Sequence, residues 1–277
     1  MVELAIVIPA QTGRHVGQTI ACANQKGGVG KTTTVVNLAA YLAADGARVL
    51  VVDLDPQGNA TSGLGAARAP EGRCVYDAIL GGVPLTSLIA PTGVPGLDLV
   101  ASSIALAGAE VELAALPQRE RRLAQLLPTV AADYDYVFID CPPSLGLLTV
   151  NALTAAQAVL VPLQCEYYAL EGLSQLIATI HLVRDHLNPA LAVNGVVLTM
   201  FDSRTNLSAE VATEVRQHLG PAVYDTVVPR SVRLAEAPSH GRPIAQYAPE
   251  SRGAAAYRAL AEELRGRTNG ATPMGAL

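Results

Sequence analysis

The sequence predicts an α/β fold, a mostly parallel twisted sheet with helices on both faces. Two observations predict it. Apolar runs alternate with helix-like stretches along the chain, and the connections between them are short. Strand–helix alternation of this kind builds a parallel sheet whose two faces are both covered. The strand-like runs, in order, are Thr19–Ala23, Arg48–Asp53, Leu97–Val100, Tyr136–Asp140, Ala158–Leu163, Ala192–Met200 and Val223–Pro229. The helix-like stretches are Lys31–Ala44, Arg119–Ala132, Leu145–Ala155, Leu170–Leu187, Leu207–Leu219 and Gly253–Arg265. In the first of these, Val35, Leu38, Ala39 and Leu42 recur at helical spacing. No internal repeat and no linker rich in Pro, Gly or Ser divides the chain. The expectation is one domain over residues 18–267, with an N-terminal extension, 1–17, and a tail, 268–277, as loose ends.

Composition excludes several classes. A chain of 277 residues, half of them hydrophobic and 16% charged, can bury a core without staples and is not disordered. No Trp, 2 Phe and 9 Tyr leave few aromatics, so a stacking platform for single-stranded nucleic acid is not expected. The four cysteines, Cys22, Cys74, Cys141 and Cys165, have neither zinc-knuckle nor CxxC spacing, which points to a reducing compartment. No run of about 18 apolar residues exists, and Met1–Ile8 lacks the basic start of a signal peptide, so the expected location is cytoplasmic. Of 19 basic residues 17 are Arg; the two lysines, Lys26 and Lys31, lie five positions apart. Lysine at such a site implies that a compact ammonium is required.

Both lysines fall in one loop. The strand Thr19–Ala23 leads into Asn24-Gln25-Lys26-Gly27-Gly28-Val29-Gly30-Lys31-Thr32-Thr33, and an amphipathic helix follows. Glycines let the backbone wrap an anion with its N–H groups pointing inward, and the helix adds its positive N-terminal end. Lys31 can reach β- and γ-phosphates, and the Thr32 hydroxyl can ligate Mg²⁺. The match to GxxxxGK[ST] is incomplete, because Gln25 stands where the first Gly would be and Lys26 is an addition.

Two apolar strands end in acids. In Arg48–Asn59, Asp53 and Asp55 share a strand face, and Pro56 ends the strand. In Tyr134–Ser144, Asp140 ends the strand before Cys141-Pro142-Pro143-Ser144. The C-terminal edge of a parallel sheet is where ligands bind in such folds.

The pattern KGGxGKT is a deviant Walker A motif, and with it the chain resembles the ParA/MinD superfamily of P-loop ATPases. Asp53–Gln57 resembles that family's DxDPQ switch, and Asp140–Ser144 its Walker B strand and DxPPS loop. Gln164–Gly172 and Val228–Gly241 match the chromosomal ParA, or Soj, branch; the similarity covers about residues 18–266. It implies a P-loop NTPase fold, with ATP and Mg²⁺ as cofactors and residues 26–33 around the phosphates. By the same resemblance Lys26 reaches the nucleotide of a second subunit, as an arginine finger would. Asp55 orients the attacking water, Thr32 and Asp140 hold Mg²⁺, and Asp53 supports the metal shell or the loop. The Pro229-Arg230 turn lies against the adenine in the family; a plain strand-to-helix turn is the rival.

The implied function is a slow, partner-stimulated partitioning ATPase. It forms a homodimer with ATP, binds nucleoid double-stranded DNA without sequence preference, and is released when a ParB-type centromere-binding protein stimulates hydrolysis. The chain is acidic, with net charge −5, but residues 200–277 carry 9 Arg against 8 acids. Arg204 and Arg233, then Arg242 and Arg252, are the candidates for phosphate contacts. The alternative is a MinD-like positioning ATPase on a membrane. That needs a C-terminal amphipathic basic helix, which the Gly and Pro of residues 268–277 oppose. A nitrogenase-iron-protein-like reductase would need cluster cysteines facing a dimer axis; Cys141 is placed near such a loop, but a second candidate is lacking.

Overall fold

Strands that are mostly apolar and buried at every residue can sit only inside a sheet covered on both sides. Three runs in this chain are of that kind: β1 (Gln18–Cys22), β2 (Val49–Asp53) and β5 (Tyr136–Asp140). The computed structural model describes residues 17–67, 73–166 and 169–269. In it these strands lie side by side at the centre of a seven-stranded sheet. The other strands are β3 (Ile89–Pro91), β4 (Leu97–Val100), β6 (Ala158–Gln164) and β7 (Ala192–Thr199), and the order is β3-β4-β2-β5-β1-β6-β7. All pairs are parallel except β3 with β4.

The alternation along each central strand divides the core. Ile20, Val49, Val51 and Phe138 face the side covered by the helices Lys31–Ala44 and Arg252–Asn269. Ala21, Leu50, Val52 and Ile139 face the other side, where Leu148, Leu176 and Val215 come from the helices Leu147–Ala155, Ala169–His186 and Asn206–Leu219. Asn206–Leu219 is capped by the Thr205 side chain, which accepts from the Ser208 N–H.

Several expected elements change. Arg119–Ala132 is not one helix but two, Arg122–Leu126 and Pro128–Ala131, because Pro128 has no N–H to continue the first. Val223–Pro229 is not a strand; it meets the sheet only at single bridges, Val196 with Val223 and Phe201 with Pro229. Between them the Glu263 carboxylate accepts from the N–H groups of Asp225 and Thr226, at 2.8 and 2.9 Å, and so diverts ladder donors. The edge strand β3 and the helix Leu106–Ala114 were not expected. The last helix runs on to Asn269 and takes in the first two residues of the expected tail. Residues 1–16, 68–72, 167, 168 and 270–277 lie outside the described residues.

Gly195 marks an irregularity. Val159 pairs with Val193 but Leu160 pairs with Gly195, so Asn194 is the extra residue, and its side chain accepts from the Tyr224 hydroxyl. A Cβ on Gly195 would sit 2.6 Å from the Tyr224 ring and 2.9 Å from the Ala222 carbonyl oxygen. Gly195→Ala is therefore expected to destabilise the protein by about 1–3 kcal/mol, seen as a lower urea midpoint at unchanged m-value.

Candidate active site

The register of the central strands sets the site. Asp53 is the partner of Asp140, and Asp140 is the partner of Cys22, so the three strand ends form one row. The chain leaves β1 at that row and turns through the glycine loop into the helix that begins at Lys31. Gly28 and Gly30 have φ of 75° and 89°, a region that favours glycine. Three hydrogen bonds from two anchors tie the loop. Asn24 donates to the Pro162 carbonyl at 2.8 Å and accepts from the Lys26 N–H at 3.0 Å. The Thr199 hydroxyl, at the end of β7, donates to the Val29 carbonyl at 2.8 Å. Sequence reasoning missed both anchors, although each is a polar residue at the end of an apolar strand.

Lys31 is buried, and its Nζ donates to the Lys26 carbonyl across the loop at 3.1 Å. Beside it the Thr32 hydroxyl donates to Asp140 Oδ2 at 2.7 Å. Asp140 is fully buried, and its Oδ1 has no hydrogen-bond partner. Burial, then the neighbouring Asp53, push its carboxyl well above the usual range. An unsatisfied carboxylate oxygen beside a threonine hydroxyl fits a divalent cation. Among the described residues no group of three His, Cys, Asp or Glu could hold a metal by itself. Mg²⁺ needs none, because it takes one or two protein ligands and completes its octahedron with phosphate and water.

Asp53 and Asp55 differ. Asp53 is also fully buried, and burial raises its carboxyl to about 6. Its Oδ1 accepts from the Asp55 N–H at 3.1 Å; its Oδ2 accepts from the N–H and hydroxyl of Thr61, at 2.8 and 2.7 Å. Of the two roles expected for Asp53, this geometry is that of a loop anchor. Asp55 faces a cleft of about 420 Å³ whose wall also includes Gly28, Lys31, Thr32 and Pro143.

The other candidates scatter. Val29 is buried, so its backbone alone is available. Gly27 and Thr33 line the cleft. Pro229 and Arg230 do not line it; they stay beside Phe201, whose carbonyl accepts the Arg230 N–H at 3.0 Å, while Met200 supplies the wall. Arg242, expected on a DNA face, is exposed and also lines the cleft, where Gly241 turns the chain with φ of 60°. Arg204 and Arg233 are exposed, each paired with an acid, Asp202 at 2.7 Å and Glu236 at 2.9 Å. The Arg204 guanidinium holds the Asp202 carboxyl below the usual range. Arg252 is exposed at the start of the last helix. Lys26 forms a 2.6 Å ion pair with Glu166 of its own chain. All four cysteines are buried, and burial raises the Cys165 thiol to about 11.

A family model described as an AAA domain matches residues 17–193. The sporulation initiation inhibitor protein Soj of Bacillus subtilis is 57% identical over 248 residues, 90% of this chain and 98% of the relative. The chain belongs to the Soj/ParA family. The chromosome partitioning protein ParA of Myxococcus xanthus is 53% identical over 93% of this chain and 91% of that protein. Among solved structures, cobyrinic acid a,c-diamide synthase from Mycobacterium smegmatis, with a bound ATP analog and magnesium, aligns with a TM-score of 0.82 at 39% identity. The alignment covers 95% of this chain and all of that one. Soj/ParA proteins are P-loop ATPases, and the parallel sheet and glycine loop of this member are of that fold.

Asp140 offers a direct test of the cation site. Asp140→Asn can still accept from Thr32 while removing a buried charge. The nucleotide-free protein is expected to gain about 1–2 kcal/mol at pH 7, read by thermal unfolding. In the same variant Mg²⁺ should no longer strengthen ADP binding measured by calorimetry.

Proposed function

We propose that the protein is an ATP-driven DNA-partitioning switch whose residues 18–267 act as one P-loop ATPase domain. The observation that carries this reading is the strand-end row, which gathers Lys31, Thr32, Asp140 and Asp55 around one glycine loop. The backbone N–H groups of residues 27–33 and the Lys31 ammonium bind the phosphates of ATP. Thr32 and Asp140 would hold Mg²⁺, which would supply charge neutralisation for the triphosphate. Asp55 orients a water for attack on the γ-phosphorus. The P–O bond to the β-phosphate breaks, giving ADP, phosphate and a proton. Pro229 and Arg230 reach the adenine only if the segment after β7 shifts toward the cleft.

Lys26 completes the site of a second subunit. In the single chain it is held by Glu166, with both side chains about two-fifths exposed. Exposed pairs are worth about 0–1 kcal/mol, so the ammonium is readily released to a phosphate. DNA binding then follows from duplication. One chain is acidic and offers one copy of each candidate arginine; a dimer presents two copies of Arg204, Arg233 and Arg252 to duplex phosphates. Asp202 and Glu236 must give up their arginines to the DNA. Arg242, from its place in the cleft, is the weakest DNA candidate. Hydrolysis, stimulated by a ParB-type partner, dissolves the dimer and releases it from the nucleoid, within the cytoplasm. The identity of 53% to a chromosome partitioning protein, against 39% to the diamide synthase, favours partitioning over that other chemistry.

Gly27 tests the dimer. A Cβ there would lie 3.8 Å from Pro143, an ordinary contact, so the single chain tolerates a side chain. Gly27→Val is expected to bind ATP within about threefold of wild type yet fail to dimerise with it, because the added bulk lies between two facing loops. Sedimentation with ATP is the measurement; a dimer as stable as wild type contradicts the reading.

A further inference from the structure

Around Asp55 the hydrogen bonds close into a ring that no motif in the sequence announces. The Asp55 N–H donates to Asp53 Oδ1 at 3.1 Å. The Asp55 carbonyl accepts from the Ser102 hydroxyl at 2.5 Å. The Ser102 N–H donates to the Thr61 hydroxyl oxygen at 3.0 Å, and that hydroxyl donates to Asp53 Oδ2 at 2.7 Å. Asp53, Thr61 and Ser102 are fully buried, and Asp55 nearly so. Ser102 comes from the segment after β4, and Thr61 from the helix Asn59–Gly63 that follows the switch.

We infer that Thr61 and Ser102 are positioning residues for Asp55, fixing its backbone at both the N–H and the carbonyl so that its carboxylate faces the cleft. The inference rests on the reading of Asp55 as the residue that orients the attacking water. A backbone clamped at both polar groups has little freedom left. The side chain is held once more where Oδ1 accepts from the Gln57 N–H at 2.9 Å. Neither Thr61 nor Ser102 lines the cleft, so neither touches nucleotide, and their effect must pass through Asp55. Buried hydroxyls with all their bonds made within one ring are costly to disturb, and a loop held that way keeps its geometry before ligand arrives. The ring also explains why the two acids of the switch behave differently: Asp53 is spent on the scaffold, and Asp55 is left facing the ligand.

Steady-state ATPase kinetics on Ser102→Ala, Thr61→Val and Thr61→Ser test this, with ATP affinity measured separately by calorimetry. Ser102→Ala should lower kcat at least tenfold while KM for ATP and calorimetric affinity change less than threefold, since only water orientation suffers. Thr61→Val should do the same, and Thr61→Ser, which keeps both hydroxyl bonds, should restore kcat to within threefold of wild type. Wild-type kcat in Ser102→Ala overturns the inference. So does a loss of ATP affinity matching the loss of rate, which would mark a merely structural role. Should Thr61→Val fail to fold, Ser102→Ala decides alone. Asp55→Ala in the same assay separates the two layers: if it turns over at the wild-type rate, the reading of Asp55 fails. If it is inactive while Ser102→Ala is normal, only the positioning fails.

Discussion

Three carboxylates buried within one another's reach, at the ends of two adjacent strands, are the constraint on which the rest of this structure depends. Asp53, Asp55 and Asp140 have almost no contact with solvent. Like charges in a low-dielectric site raise one another's proton affinity, and each must be hydrogen-bonded, protonated or matched by a cation. The chain answers each differently. Asp53 receives three donors from the following loop, Asp55 receives one and faces the cleft, and Asp140 is left with one oxygen bonded to Thr32 and one without a partner. In the proposed reading the unsatisfied oxygen is the one that would meet the Mg²⁺ of MgATP beside the glycine loop.

The helix after the glycine loop and the turn beyond the switch helix tie this chemistry to the distant C-terminal segment. Asn37, one turn and a half into the helix that follows the loop, accepts the Ile244 N–H at 2.7 Å and donates to the Thr33 carbonyl at 2.7 Å. Thr34 shares a hydrogen bond with Tyr257 of the last helix. A Cβ on Gly65, just beyond the helix that carries Thr61, would lie 2.8 Å from the Gly241 carbonyl oxygen, so the two backbones touch where only glycines fit. The segment bearing Arg233 thus rests against the switch and the phosphate-loop helix, and a change at the nucleotide has a short path to it.

Much of this was legible in the sequence, for physical reasons. Apolar strands buried on both faces read plainly, as did Lys31–Ala44, because hydrophobic patterning is local. The glycine loop and the acids at the ends of β2 and β5 read as a site because strand–loop–helix order fixes where they must lie. What failed depended on distant partners. Val223–Pro229 has strand composition, but Glu263 takes its donors. Arg242 is the exposed arginine that its loop position suggests, but its place on the wall of the cleft depends on the turn at Gly241. Thr61 and Ser102 carry no sequence signal, since a serine after an apolar strand is ordinary; only the closed ring reveals their use. Lys26 read as a lysine meant for another subunit, and its own-chain partner Glu166 lies 140 positions away.

In the proposed switch the state of the nucleotide, through the number of arginines presented, governs affinity for DNA. A salt titration of duplex binding in ATP and in ADP measures this directly. The logarithm of affinity falls against the logarithm of salt with a slope of about 0.9 per phosphate neutralised. The account predicts tight, sequence-independent binding in ATP with a slope roughly twice that in ADP. It predicts a shallower ATP slope for Arg233→Ala on every sequence. Equal affinity and equal slope in the two nucleotides would contradict it.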